Sequence, residues 1–138
     1  ISLLFVKDIQ PKLYVLFHYL LADVAEDVII ILSTHIVDDV TELCSNMAIM
    51  NSGKMVYKGT PQAVISELNG KVWQKIIERN EIGQYKTDYT VISDKMVAGK
   101  PLIHVLSDSN PGNGFENVAP GLEDVFFSKI NATETVSV

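Results

Sequence analysis

The sequence predicts an α/β architecture to which a small α+β unit is appended. Three observations carry that prediction. Val28-Ile29-Ile30-Ile31-Leu32 is an unbroken apolar run dominated by β-branched residues, the pattern of an interior parallel strand covered by helices on both faces. Segments of helical period flank it on either side. Beyond Gly70 the pattern changes to short, alternating stretches bounded by turn residues, which is how antiparallel strands read.

Taken in order, residues 1–8 (ISLLFVKD) are strand-like and end in an acid. Residues 11–25 predict a helix, with Pro11 in its first turn and Leu13, Leu16, Phe17, Leu20, Leu21 and Val24 at helical spacing. Tyr14, Val15 and Tyr19 make its other side apolar too, so it is expected to be buried on more than one face or to meet a partner. The Val28 strand runs into Ser33-Thr34-His35. Ile36, Val40, Leu43, Cys44 and Met47 then recur at helical spacing, predicting a helix over about 36–44 with Thr34 as N-cap. Asp38, Asp39 and Glu42 fall on its opposite face, where acids near a helix start suit the dipole without any cation. Cys44 falls on the apolar stripe and reads as a small packing residue.

Residues 47–50 predict a strand, Asn51-Ser52-Gly53-Lys54 a tight turn, and residues 55–57 the returning strand. Thr60-Pro61 caps a helix over 62–68, closed by Asn69-Gly70. In the appended unit, strands are expected over 71–77, 89–97 and 102–107, with Ala98-Gly99-Lys100 as a hairpin turn. Residues 108–117 hold two glycines, a proline and three asparagines, and predict a loop. Residues 121–130 (GLEDVFFSKI) predict a short amphipathic helix whose Phe126 and Phe127, like Trp73, serve as packing anchors. The expected division is residues 1–70, residues 71–130, and a flexible polar tail over 131–138.

A length of 138 residues and 47% hydrophobic content fit one ordinary domain, or part of a larger one with a small subdomain. The net charge of -6 and the absence of a basic face exclude free nucleic acid as a partner. One cysteine cannot form an internal disulfide and fits a reducing cytoplasm. The apolar start lacks the basic leader of a secretory signal. The longest apolar stretch, 13–21, is interrupted by His18 and is shorter than the roughly 20 residues a bilayer span needs. Neither His18 nor His104 has a neighbour at metal-ligand spacing, so both read as structural. Asn131-Ala132-Thr133 matches a glycosylation sequon by chance. A chain that begins with isoleucine is expected to be an excised or truncated piece.

The order of an apolar strand ending in Ser33-Thr34-His35, an acidic helix, a second strand and an N-S-G-K hairpin resembles the end of the ATPase domain of ATP-binding-cassette (ABC) transporters. The likeness is closest over 11–61, and the β-rich segment with its LEDVFF helix resembles the C-terminal extension of exporter-type subunits. The resemblance implies the C-terminal part of a P-loop NTPase parallel sheet. It implies that His35 is the switch histidine, facing the γ-phosphate of ATP and the attacking water. It further implies ATP and magnesium as cofactors of the full-length subunit, and two partners: a transmembrane permease and a second copy of the nucleotide-binding subunit. The corresponding location is cytoplasmic, on the inner face of the membrane through the permease.

Several parts of that machinery have no counterpart in these 138 residues. There is no G-x-x-x-x-G-K loop followed by Ser or Thr, no LSGGQ-type signature, and no strand ending in Asp-Glu. Residues 1–8 lie too close to Pro11 for that last role. Where the family reads Leu-Asp-Pro, this chain has Ile9-Gln10-Pro11, and Gln10 supplies no carboxylate. A single histidine donor contributes about 3–4 kcal/mol to a barrier reduction that needs several such terms. The chain by itself is therefore expected neither to hold ATP nor to hydrolyse it, the ATPase activity belonging to the full-length subunit. The alternative reading is a non-catalytic regulatory or protein-interaction module that uses its apolar helix and Phe-rich end.

Overall fold

A computed structural model of the chain describes residues 2–7 and 28–135. Two compact units are present, Ile1–Leu43 and Cys44–Val138. The helix expected over 11–25, with Pro11 and His18, and the neighbouring Gln10 lie outside the described residues.

In the first unit, β1 (Ser2–Lys7) and β2 (Val28–Ser33) pair in parallel, from Ser2 opposite Val28 to Lys7 opposite Ser33. Both strands therefore end at the same edge. α1 (Val37–Leu43) follows. The expectation of an interior strand covered on both faces needs correction. Ile29 and Ile31 are 55% and 46% exposed, whereas Ile30 and Leu32 are half-buried. Alternate residues of a strand face opposite sides, so a two-stranded pair can leave one face open even when every residue is apolar. The Thr34 hydroxyl accepts the Ile36 N–H at 2.9 Å, a local turn leading into α1 rather than a cap on its second or third residue.

In the second unit, β3 (Met47–Asn51) and β4 (Lys54–Gly59) form an antiparallel hairpin. Ser52 and Gly53 have φ of 50° and 75°, and two left-handed residues in succession give the turn whose twist matches that of its strands. Thr60 caps α2 (Pro61–Ser66), its hydroxyl accepting the Ala63 N–H at 3.2 Å, with proline where a missing N–H costs nothing. A four-stranded antiparallel sheet follows, in the order β6-β7-β5-β8. Its strands are β5 (Val72–Ile76), β6 (Val91–Val97), β7 (Lys100–Leu106) and the short β8 (Glu116–Asn117). A 3₁₀ turn (Arg79–Glu81) and α3 (Ile82–Asp88) connect β5 to β6.

α3 has no counterpart among the sequence expectations, because it has few apolar residues to mark a helical period and Gly83 lowers its helical propensity. The polar contact at this place caps the 3₁₀ turn that precedes it, where the Glu78 N–H donates to Glu81 Oε2 at 2.8 Å, and α3 continues from that turn. The C-terminal helix α4 (Leu122–Thr135) also runs beyond Ile130, where the sequence predicts a tail. Residues 131–135 contain neither glycine nor proline, so a helix already formed propagates through them at small cost per residue.

α4 packs against both α2 and β6, with Lys129 Nζ 3.1 Å from Glu67. The hairpin and α2 consequently belong to the same compact unit as the β-rich sheet, while the sequence places its division at Gly70. The mixed α/β character stands. Among the described residues, parallel pairing is confined to β1 and β2, and the other sheets are antiparallel.

A hydrophobic core of the second unit is formed by Ile77, Tyr85, Ile103, Val105 and Phe115, with Trp73, Ile82, Tyr89 and Val91 packed against it. Pro101, Ile103 and Val105 alternate along β7 as its buried residues. His104, between two of them, points to the other face of the sheet and meets α4 there.

Candidate functional site

His35 follows directly on the carboxyl end of β2 and lies in the bend that precedes α1. Its side chain is exposed, and the parallel register brings the end of β1 to the same edge as Ser33. Asp38 and Glu42 on α1 are exposed as well. An exposed imidazole at the carboxyl edge of a parallel pair can donate to an anion without deforming the strand that carries it.

The second unit holds two polar constructions. One is a depression of about 300 Å³ beside α3. Gln84, Tyr85 and Asp88 line it from α3 and Glu81 from the end of the 3₁₀ turn before it, at the i, i+3, i+4, i+7 spacing of one helix face. Lys75 reaches it from near the end of β5, and Asn113 from the loop before β8. Lys75 Nζ donates to Tyr85 Oη at 2.7 Å and to the Asn113 carbonyl at 2.5 Å. The ammonium also lies 5.1 Å from the Tyr85 ring centre and 5.6 Å from that of Phe115, within reach of both π faces. Asn113 Nδ2 donates to Tyr85 Oη at 3.3 Å. Asn113 can take this position because it sits at φ 52° between Gly112 and Gly114, at φ 70° and 76°. Asparagine is among the few residues with a side chain that tolerate this backbone region.

The other construction is a histidine–aspartate pair linking β7 to α4. His104 Nδ1 lies 2.6 Å from Asp124 Oδ1, and the two side chains are 16% and 6% exposed. Asp124 Oδ2 accepts the Gly121 N–H at 2.8 Å, the contact that a third helical residue makes with its N-cap. Burial pushes the Asp124 carboxyl up. The hydrogen bonds from His104 and Gly121, and the charges of His104 and Lys95, outweigh that and hold it below its ordinary value. As an ionised carboxylate only accepts, His104 Nδ1 carries the proton in this contact. The pair is a buried polar tie between sheet and helix.

His35, the residue the sequence singles out, lies just past the carboxyl end of β2. The sequence reading missed Lys75, Tyr85 and Asn113, and it read His104 as structural without identifying Asp124 as its partner. Signals for some of them were present: the face formed by Glu81, Gln84, Tyr85 and Asp88, and an asparagine between two glycines. The twenty-residue separation of His104 from Asp124 has no local signature. Among the described residues, no group of three or more His, Cys, Asp or Glu side chains is placed to hold a metal ion. Among the same residues, no helix is long and apolar enough to cross a membrane. No protein-family model matches the chain, and no curated protein matches it significantly.

Proposed function

We propose that the chain is the C-terminal part of the nucleotide-binding subunit of an ABC transporter, exporter-type, in which ATP binding and hydrolysis power transport across a membrane. The observation that carries the reading is the placement of Ser33-Thr34-His35 at the carboxyl end of β2, parallel to β1 and followed by α1. Ligands of open α/β sheets bind at that edge. In the whole subunit His35 donates to the γ-phosphate and orients the attacking water, and other segments supply the phosphate cradle and the magnesium ligands. The finer architecture, a P-loop NTPase parallel sheet, is part of the same proposal.

The His35 side chain fits one share of that chemistry. The residue is exposed, and a single well-placed donor of this kind is worth about 3–4 kcal/mol to a transition state. The proposed partners are a transmembrane permease and a second copy of the subunit, with the assembly on the cytoplasmic face of the membrane. Sequencing the coding region upstream of Ile1 tests the proposal. A Gly-rich phosphate loop, a signature motif and a strand ending in Asp-Glu are expected there, and an upstream region without the phosphate loop overturns the reading. The chain alone should give no heat of binding with Mg-ATP in calorimetry.

A further inference from the structure

We infer that the depression beside α3 binds a small zwitterion, a molecule carrying one carboxylate and one ammonium group, of which amino acids are the commonest kind. The inference concerns the Cys44–Val138 unit and does not rest on the nucleotide-binding proposal.

Three donors converge at the base of the depression. An ammonium has three N–H groups, and Lys75 uses two of them, on Tyr85 Oη and the Asn113 carbonyl. Tyr85 Oη accepts from both Lys75 and Asn113, so its own O–H has no acceptor among the described residues. Asn113 Nδ2 likewise uses one of its two hydrogens. The Tyr85 side chain is fixed, because the residue is only 9% exposed and stacks on Tyr89 with ring centres 5.6 Å apart. Among the described residues Lys75 makes no ion pair. A positive charge with adjacent unused donors is an acceptor site for an anionic oxygen.

The walls select against a purely anionic ligand. Glu81, at the end of the 3₁₀ turn, and Asp88, at the end of α3, line the same depression about 10 Å apart by helical rise. Asp88 lies at the C-terminal end of that helix, where a carboxylate is disfavoured by the dipole, and among the described residues it has no cationic partner. A lone dianion such as phosphate would meet two carboxylates there. A ligand with a carboxylate toward Lys75 and an ammonium toward Asp88 satisfies both uncompensated charges. A volume of about 300 Å³ admits a molecule of amino-acid size.

Calorimetric titration of the full chain with glycine, L-alanine, L-phenylalanine, β-alanine and γ-aminobutyrate tests this, with acetate, ethylammonium and inorganic phosphate as comparison ligands. At least one zwitterion should bind saturably and at least about tenfold more tightly than any comparison ligand. Lys75→Met and Asp88→Asn should each weaken that binding about tenfold or more. Asp88 is exposed, so Asp88→Asn remains informative if Lys75→Met fails to fold. No binding of any zwitterion at millimolar concentration, equal binding of acetate or phosphate, or binding indifferent to Asp88→Asn would each overturn the inference.

Discussion

Replacing His104 with alanine removes the donor that faces Asp124 across the boundary between β7 and α4. The 2.6 Å contact joins two side chains that are 16% and 6% exposed, so water cannot readily take the place of the ring. The carboxylate would keep the Gly121 N–H and lose its nearest charge-assisted partner. A hydrogen bond to a charged group is worth about 1.5–3 kcal/mol, and the loss of the partly buried ring adds to that. A destabilisation of about 2–3 kcal/mol follows, which in a domain of this size lowers Tm by roughly 10–20 °C. Trp73, the chain's single tryptophan, is a suitable probe. It lies on β5 of the same sheet, with its indole N–H donating to the Ser107 carbonyl at 3.1 Å. Urea unfolding followed by its fluorescence gives the free energy. A cycle with Asp124→Asn isolates the pairwise part, for which a coupling above about 1 kcal/mol is expected. A loss under about 0.5 kcal/mol for His104→Ala would show that the pair does not hold the helix to the sheet.

The same pair sets a pH dependence. Asp124 is held below its ordinary value of 3.8, so its contribution is fully present above that pH and is lost as pH falls through the folded-state value. The stability difference between the native chain and Asp124→Asn should therefore shrink below pH 3.8, and a constant difference there would contradict the assignment. In the core, Ile103→Ala removes a fully buried side chain and should cost about 2–5 kcal/mol by urea unfolding. At the start of α2, Thr60→Ala removes the acceptor for the Ala63 N–H and should cost about 1 kcal/mol, whereas Thr60→Ser should restore most of it. In the β3–β4 turn, Gly53 has φ 75° with open space where a Cβ would stand. Gly53→Ala should therefore cost about 1 kcal/mol through backbone strain alone, measurable in the same unfolding assay.

Where local chemistry decides the structure, the sequence was legible. Val28 to Leu32 forms a strand, Ser52-Gly53 and Ala98-Gly99 turn hairpins, and Thr60-Pro61 opens a helix, each with the geometry its residues favour. Where partners distant in sequence decide, it was not. The exposure of Ile29 and Ile31 depends on what covers the sheet, which an apolar run does not specify. The fusion of the hairpin and α2 with the later sheet depends on α4 returning to α2, a contact between segments far apart in the chain. α3 was hidden because its few apolar residues show no clear period and it continues from a 3₁₀ turn that a polar contact caps. The candidate sites divide in the same way. His35 is marked by its place at a strand end, while the Lys75 and His104 groups exist only once strands, loops and helices have come together.

The nucleotide-binding proposal meets its most direct test in ATP turnover by the full-length subunit carrying His35→Ala. Loss of one γ-phosphate donor should lower turnover by at least about tenfold while leaving ATP binding nearly intact. Unchanged turnover in that variant would contradict the role assigned to His35.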